Sequence, residues 1–173
     1  MEVVIETENL VLRKFKMEDD KDCIEFLSDC ETCYLDGGYE PFLEMDERFY
    51  NLMNRFEKQD GRLMIELKSE NKVIGTINIR DSLFRVVKSV EIGYCLNPNY
   101  RRRGYASEAI QAIIQYLFHI CDVELITAKA YELNEPSIRL LEKLGFKYEG
   151  KLYKAFQYPG REPESLVCYY YDR

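Results

Sequence analysis

Along this chain the spacing of apolar residues changes period several times, and each change predicts an element. "VVIETENLVLRKF" (3–15) alternates apolar and polar positions and is rich in β-branched residues, so it reads as a first strand ending near Phe15. "MEDDKDCIEFLSD" (17–29) groups acids in its opening turn and then sets Cys23, Ile24, Phe26 and Leu27 at helical intervals. That is a short helix with negative charge at the favourable end. "DGGYEP" (36–41) is a turn-rich break expected to move. A second helix over 44–59 follows, with Phe49, Leu52, Met53 and Phe56 on one stripe.

Three strands are expected next, over 61–69, 72–81 and 89–97, the first two joined by a link short enough for a hairpin. From Gly104 the period becomes helical, with Ala106, Ala109, Ile110, Ile113, Ile114, Leu117 and Cys121 on one side. A strand over 123–131 and a helix over 134–145 follow, Pro136 in its first turn and Gly145 just past its end. The tail predicts two strands, "FKYEGKLYKAF" and "ESLVCYYYD", around the turn-type linker "YPGREP". Strand–helix–strand from 89 to 131 calls for a right-handed crossover between parallel strands. The fold class is therefore α/β, a mixed sheet flanked by helices. No repeat, low-complexity tract or linker divides the chain, so 1–173 is expected to be a single domain.

Composition narrows the function classes. Of 173 residues, 46% are apolar and 32% charged, ordinary for a soluble globular protein. Fourteen tyrosines and no tryptophan favour a strand-rich fold. A net charge of −7 argues against a nucleic-acid or anionic-membrane partner. The N-terminus has neither the basic nor the apolar region of a secretory signal, and nowhere do 18 apolar residues run together. The expected location is cytoplasmic, with the six cysteines reduced. Cys30-x-x-Cys33 lacks the second ligand pair of a zinc site and the preceding strand of a redox motif, and His119, the single histidine, is remote. No metal is expected, and Cys30, Cys33 and His119 read as structural.

Against that acidic background, "NPNYRRRGYASEA" (97–109) puts three arginines at one strand-to-helix corner. A strand that ends, turns through glycine and enters a helix aims free N–H groups and the positive end of a macrodipole at one point. Guanidinium groups added there make a site for a phosphate or pyrophosphate. Gly104 lets the backbone approach closely, and Ala106 and Ser107 keep bulk away. Neither the nucleoside-triphosphate loop nor the dinucleotide fingerprint is present. A solvated basic turn balancing nearby acids is the other reading of the same residues.

"R-R-R-G-Y-A" (101–106) resembles the R/Q-x-x-G-x-G/A signature of the GNAT N-acetyltransferase superfamily, which grips the pyrophosphate of acetyl-CoA. "VEIGYCLNPNYRRRGYASEA", "YELNEPSIRLLEKLGFKYEG" and "TENLVLRKF" resemble segments of the branch containing ribosomal-protein-alanine acetyltransferases. The likeness runs from about Thr7 to Gly150. It implies a GNAT-like, mostly antiparallel sheet whose parallel crossover pair splays at the cofactor site, with acetyl-CoA as co-substrate. It also implies direct attack of a neutral primary amine on the thioester. Cofactor-binding residues would be Cys95, Leu96, Asn97, Arg101, Arg102, Arg103, Gly104, Tyr105, Ala106, Ser107, Asn134 and Ser137. A backbone N–H near Cys95 or Leu96 would receive the oxyanion, Cys95 itself being a packing residue.

Strand alternation puts Glu91, Gly93 and Cys95 on one face and Ile92, Tyr94 and Leu96 on the other. Glu91 is the expected base, its pKa raised by partial burial; an ion pair or an exposed strand face is the alternative. Asn134 and Ser137 would meet the pantetheine near the leaving sulfur while also capping their helix. Many members of the superfamily carry a tyrosine general acid where this chain has Leu141, so Ser137, or a water it orders, is the expected catalytic replacement. The acceptor implied is a protein N-terminal α-amine, with a small amine such as an antibiotic or polyamine as the alternative; its contacts would come from 30–43, 44–59 and 157–163. Family habit allows a homodimer. A non-catalytic CoA-binding regulator and an RNA-binding module are the readings from other classes.

Overall fold

The computed structural model describes residues 4–37, 40–158 and 160–173. Val3 of the first expected strand, Gly38 and Tyr39 of the expected break, and Pro159 of the tail turn lie outside the described residues. The strands are β1 (Val4–Glu6), β2 (Leu10–Arg13), β3 (Arg62–Leu67), β4 (Lys72–Asp81), β5 (Ser89–Leu96), β6 (Leu125–Tyr131), β7 (Lys147–Phe156) and β8 (Glu164–Asp172). The helices are α1 (Asp20–Leu27), α2 (Cys30–Thr32), α3 (Glu47–Lys58), α4 (Tyr105–His119) and α5 (Glu135–Lys143). The strands form one sheet in the order β1-β2-β3-β4-β5-β6-β8-β7. Pairs β1–β2, β2–β3, β3–β4, β6–β8 and β7–β8 are antiparallel, while β5 and β6 are parallel and joined through α4. This is the mixed α/β sheet that the sequence predicts.

The single strand expected over 3–15 is two. Thr7 breaks it: its N–H donates to the Leu10 carbonyl at 3.0 Å, and its hydroxyl oxygen accepts from the Leu10 N–H at 2.9 Å. A Thr-Glu-Asn run offers its own side chains to the backbone, which competes with strand pairing.

The chain packs as two compact units, Met1–Asn78 with Tyr94–Ala112, and Ile79–Gly93 with Ile113–Arg173. In the first unit α3 buries the predicted stripe of Phe49, Leu52, Met53 and Phe56. Edge-to-face rings tie it to Phe42 at 5.7 Å and to Phe15 at 6.2 Å. The Asp46 carboxylate caps α3 by accepting from the Phe49 N–H at 2.8 Å. Beneath β2, Arg13 makes two bonds of 2.8 Å to Asp19 and one to Glu66. All three side chains are largely buried, and the two acids push the guanidinium pKa up.

In the second unit, Ile113, Ile114, Leu117 and Phe118 of α4 are buried with Ile126 and Ala128 of β6. Tyr171 meets Phe118 at 5.8 Å and Phe146 at 5.2 Å. The parallel register covers Ser89–Ile92 against Leu125–Ala128.

Candidate active site

The end of β5 is held by backbone contacts. A Cβ added at Gly75 of β4 would meet the Cys95 carbonyl oxygen at 2.3 Å, so only glycine fits there. The Asn97 N–H donates to the Ile74 carbonyl at 2.8 Å, and the Asn97 side chain, 1% exposed, accepts from the Asn99 N–H at 3.1 Å. That cap forms a tight turn over Pro98–Tyr100 and delivers the chain to the arginines. Cys95 packs against the core of its unit, and Leu96 is buried.

The corner has the backbone of an anion cradle. Arg102 (φ 61°) and Gly104 (φ 89°) both take left-handed conformations within three residues, the alternation that turns successive N–H groups inward. A Cβ at Gly104 would meet nothing within 4 Å, so the glycine is required by conformation and leaves open space above it. Helical bonding in α4 begins with the Glu108 N–H on the Gly104 carbonyl, at 3.0 Å. The N–H groups of Tyr105, Ala106 and Ser107 therefore precede the ladder, at the positive end of a fifteen-residue helix.

Nearby acids are already engaged. Glu108, in the first turn of α4, accepts from the Thr7 hydroxyl (2.6 Å), the Asn9 N–H (2.8 Å) and the Asn9 amide (3.0 Å). Burial acts to raise its pKa, but those bonds outweigh it and leave the pKa lowered. Glu25 holds Lys72 at 2.6 Å and accepts from the Asn97 amide at 3.2 Å, and Glu70 accepts from the Tyr100 hydroxyl. Arg102 and Arg103 are exposed, with the Arg103 guanidinium 5.4 Å from the Tyr100 ring centre. Arg102 and Arg103 thus stay exposed at the tip while Glu25, Glu70 and Glu108 bond to other residues. Glycine, left-handed backbone, helix start and two exposed guanidiniums fit a pyrophosphate.

The matching family model covers residues 9–147 and describes a GNAT acetyltransferase domain. The chain belongs to the GNAT family. It is 36% identical over 151 residues to the uncharacterized N-acetyltransferase p20 of Bacillus licheniformis, covering 84% of this chain and 83% of that one. A solved GNAT acetyltransferase from Bacillus anthracis superposes with a TM-score of 0.86 at 30% identity, covering 98% of each chain. The ribosomal-protein-S5-alanine acetyltransferase of Vibrio fischeri (TM-score 0.74, 22% identity, 98% and 96% coverage) shares the fold. So does the spermidine N-acetyltransferase of Vibrio cholerae, solved with CoA and spermine (TM-score 0.77, 21% identity, 96% of each chain). Membership makes this GNAT chain an acyltransferase.

The second unit holds the other predicted residues. Glu91 is 7% exposed and is clasped by two cations: Lys129 at 2.7 Å and Arg80, which donates both Nε and Nη2. Burial alone would raise its pKa, as the sequence analysis expects; the bonds from Lys129 and Arg80 outweigh it and lower the pKa. Glu91 is therefore a carboxylate at neutral pH. The expectation of a raised pKa is corrected: Glu91 sits in ion pairs, the alternative arrangement, and these outweigh its burial. Alternation along β6 put Lys129 on a definite face, but register alone brings it beside Glu91, and Arg80 comes from the far end of β4. Neither was visible as a partner in the sequence.

Asn134 caps α5, accepting from the Ser137 N–H at 3.2 Å, and is buried. Leu141 is wholly buried. His119 is exposed at the last position of α4. Cys30 is exposed, whereas Cys33 is buried with its thiol on the Leu27 carbonyl at 3.1 Å. Among the described residues no group of three or more ligating side chains could hold a metal, and no helix is long and apolar enough to cross a membrane.

Proposed function

We propose that this GNAT enzyme, working as one N-acetyltransferase domain in the cytoplasm, moves the acetyl group of acetyl-CoA to a primary amine. The acceptor it suits first is a protein N-terminal α-amine. One observation carries the cofactor assignment: an exposed Arg102–Gly104 corner at the start of α4, where Glu25, Glu70 and Glu108 bond to other residues. Bound acetyl-CoA would supply an activated thioester. Arg102, Arg103 and the N–H groups of Tyr105–Ser107 would hold its pyrophosphate, and a Cys95 or Leu96 N–H would receive developing negative charge. Glu91, ionised by its clasp, would take the proton from the attacking amine, directly or through water. Ser137, or a water it orders, would hydrogen-bond the departing thiolate and relay a solvent proton to it, a role open because Leu141 has no acid to offer. Asn134 would keep the first turn of α5, and with it Ser137, in place.

The N-terminal-amine reading is supported by the resemblance of three segments to the ribosomal-protein-alanine branch. The spermidine enzyme's shared fold keeps a polyamine as the second reading. Melting temperature with and without saturating acetyl-CoA tests the cofactor, with ATP and NAD as controls. A hundredfold excess over Kd adds roughly 2.7 kcal/mol, which for a chain of this size is a rise of about 5–10 °C. Absence of a shift selective for acetyl-CoA rejects the assignment. Turnover with alanine- or serine-started peptides against spermidine then decides the acceptor. Glu91→Gln is expected to lower kcat about 100-fold with acetyl-CoA affinity retained.

A further inference from the structure

Of the three consecutive arginines, the first is built differently from the others. Arg101 is half-buried, and its side chain runs back into the fold. Its Nε donates to the Leu96 carbonyl at 3.2 Å, and its Nη2 donates to the Thr32 hydroxyl oxygen at 2.8 Å. Glu31 lies 3.9 Å from Nη1. Thr32, 1% exposed, donates its hydroxyl proton to Asp29 at 2.6 Å, and the same carboxylate oxygen accepts the Thr32 N–H at 2.8 Å. The chain of bonds runs Asp29, Thr32, Arg101, Leu96. It has a defined polarity, because the hydroxyl that gives its proton to Asp29 presents its lone pairs to the guanidinium.

What this chain of bonds joins is informative. At one end is the last peptide of β5, which leads into the cradle. At the other is α2, from which the backbone widens into π-type turns over Cys33–Gly37, a rare conformation concentrated at functional places. Segment 30–37 opens the region where acceptor contacts are expected. Two of the five N–H donors of Arg101 are committed, one to a carbonyl and one to a buried hydroxyl, which ties the guanidinium to both segments.

We propose that Arg101 is a positioning residue, a strap that makes occupation of the arginine corner by a pyrophosphate-bearing ligand order the Cys30–Gly37 segment. Arg102, Arg103 and the N-terminus of α4 hold the anion, and Arg101 passes the restraint to Thr32. Cofactor binding thereby organises the Cys30–Gly37 segment. This inference rests on the acetyl-CoA reading of the corner.

Hydrogen exchange of the full chain with and without saturating acetyl-CoA, read peptide by peptide beside calorimetric Kd, tests it. In the natural sequence acetyl-CoA is expected to slow exchange both at 98–107 and at 30–37. Thr32→Val keeps the volume and removes the hydroxyl; it should keep Kd within about threefold and protection at 98–107, but lose protection at 30–37. Thr32→Ser should restore it, which separates the strap from loss of packing. Arg101→Met should match Thr32→Val, and the double variant should be no worse than either alone. A tenfold or larger loss of affinity in Arg101→Met with Thr32→Val unaffected would make Arg101 a phosphate ligand and overturn the strap. Protection at 98–107 without protection at 30–37 in the natural sequence also overturns it, leaving the cofactor reading intact. Failure of acetyl-CoA to bind or protect 98–107 removes both.

Discussion

Two clusters in this protein combine arginines, a lysine and carboxylates, and they do opposite things with charge. At the corner after β5, Glu25, Glu70 and Glu108 are occupied by Lys72, Asn97, Tyr100, Thr7 and Asn9, while Arg102 and Arg103 stay exposed. At Glu91 the carboxylate is buried and two cations close on it, so the cluster is satisfied internally. The first arrangement leaves two guanidiniums exposed at the start of α4. The second uses its positive charge to keep a buried acid ionised. Composition would describe both as basic residues among acids; only the fate of each partner separates exposed cations from a buried acid kept ionised.

Several substitutions break that comparison, and their expected effects fall in a definite order. Gly75→Ala acts beneath the corner, where its Cβ meets a backbone oxygen that cannot swing away. It should cost about 3 kcal/mol or more by denaturant unfolding, because overpacking against main chain has no easy relaxation. Arg102→Gln with Arg103→Gln should leave stability within about 0.5 kcal/mol, since both are exposed. The pair should weaken acetyl-CoA about 30-fold by calorimetry and flatten the salt dependence of Kd. Equal affinity in this variant would return the corner to a solvated turn.

Glu91→Gln should cost about 1–2 kcal/mol, modest because Arg80 and Lys129 keep solvent contact at 65% and 38% exposure. The pH dependence has a fixed sign. The Glu91 pKa is lowered in the folded state, by cation bonds that outweigh burial, so its stabilisation is present above the ordinary carboxylate range and is lost as pH falls through the folded value. The stability gap between the natural sequence and Glu91→Gln should therefore narrow as pH falls below the ordinary carboxylate range. A gap that widens in acid would mean the pKa is raised after all. Smallest is Asp46→Ala, the loss of one α3 cap, expected at about 1 kcal/mol with acetyl-CoA affinity unchanged.

Much of this was legible from the order of residues alone. The stripes of α3 and α4, the strand patterns of β3 to β8 and the caps at Asn134 and Pro136 are written in spacings of two to four residues, the range over which backbone geometry repeats. The corner was legible for the same reason: strand end, glycine and helix start are consecutive in the chain, and their N–H groups converge wherever the rest folds. Tertiary structure decided which charges meet. That Glu91 lies between Arg80 and Lys129, that Arg101 turns back to Thr32, and that Glu108 is held by Thr7 and Asn9 depend on register and packing between residues 11 to 101 positions apart. Ionisation follows from those meetings, because an electrostatic interaction depends on distance and burial and not on order along the chain.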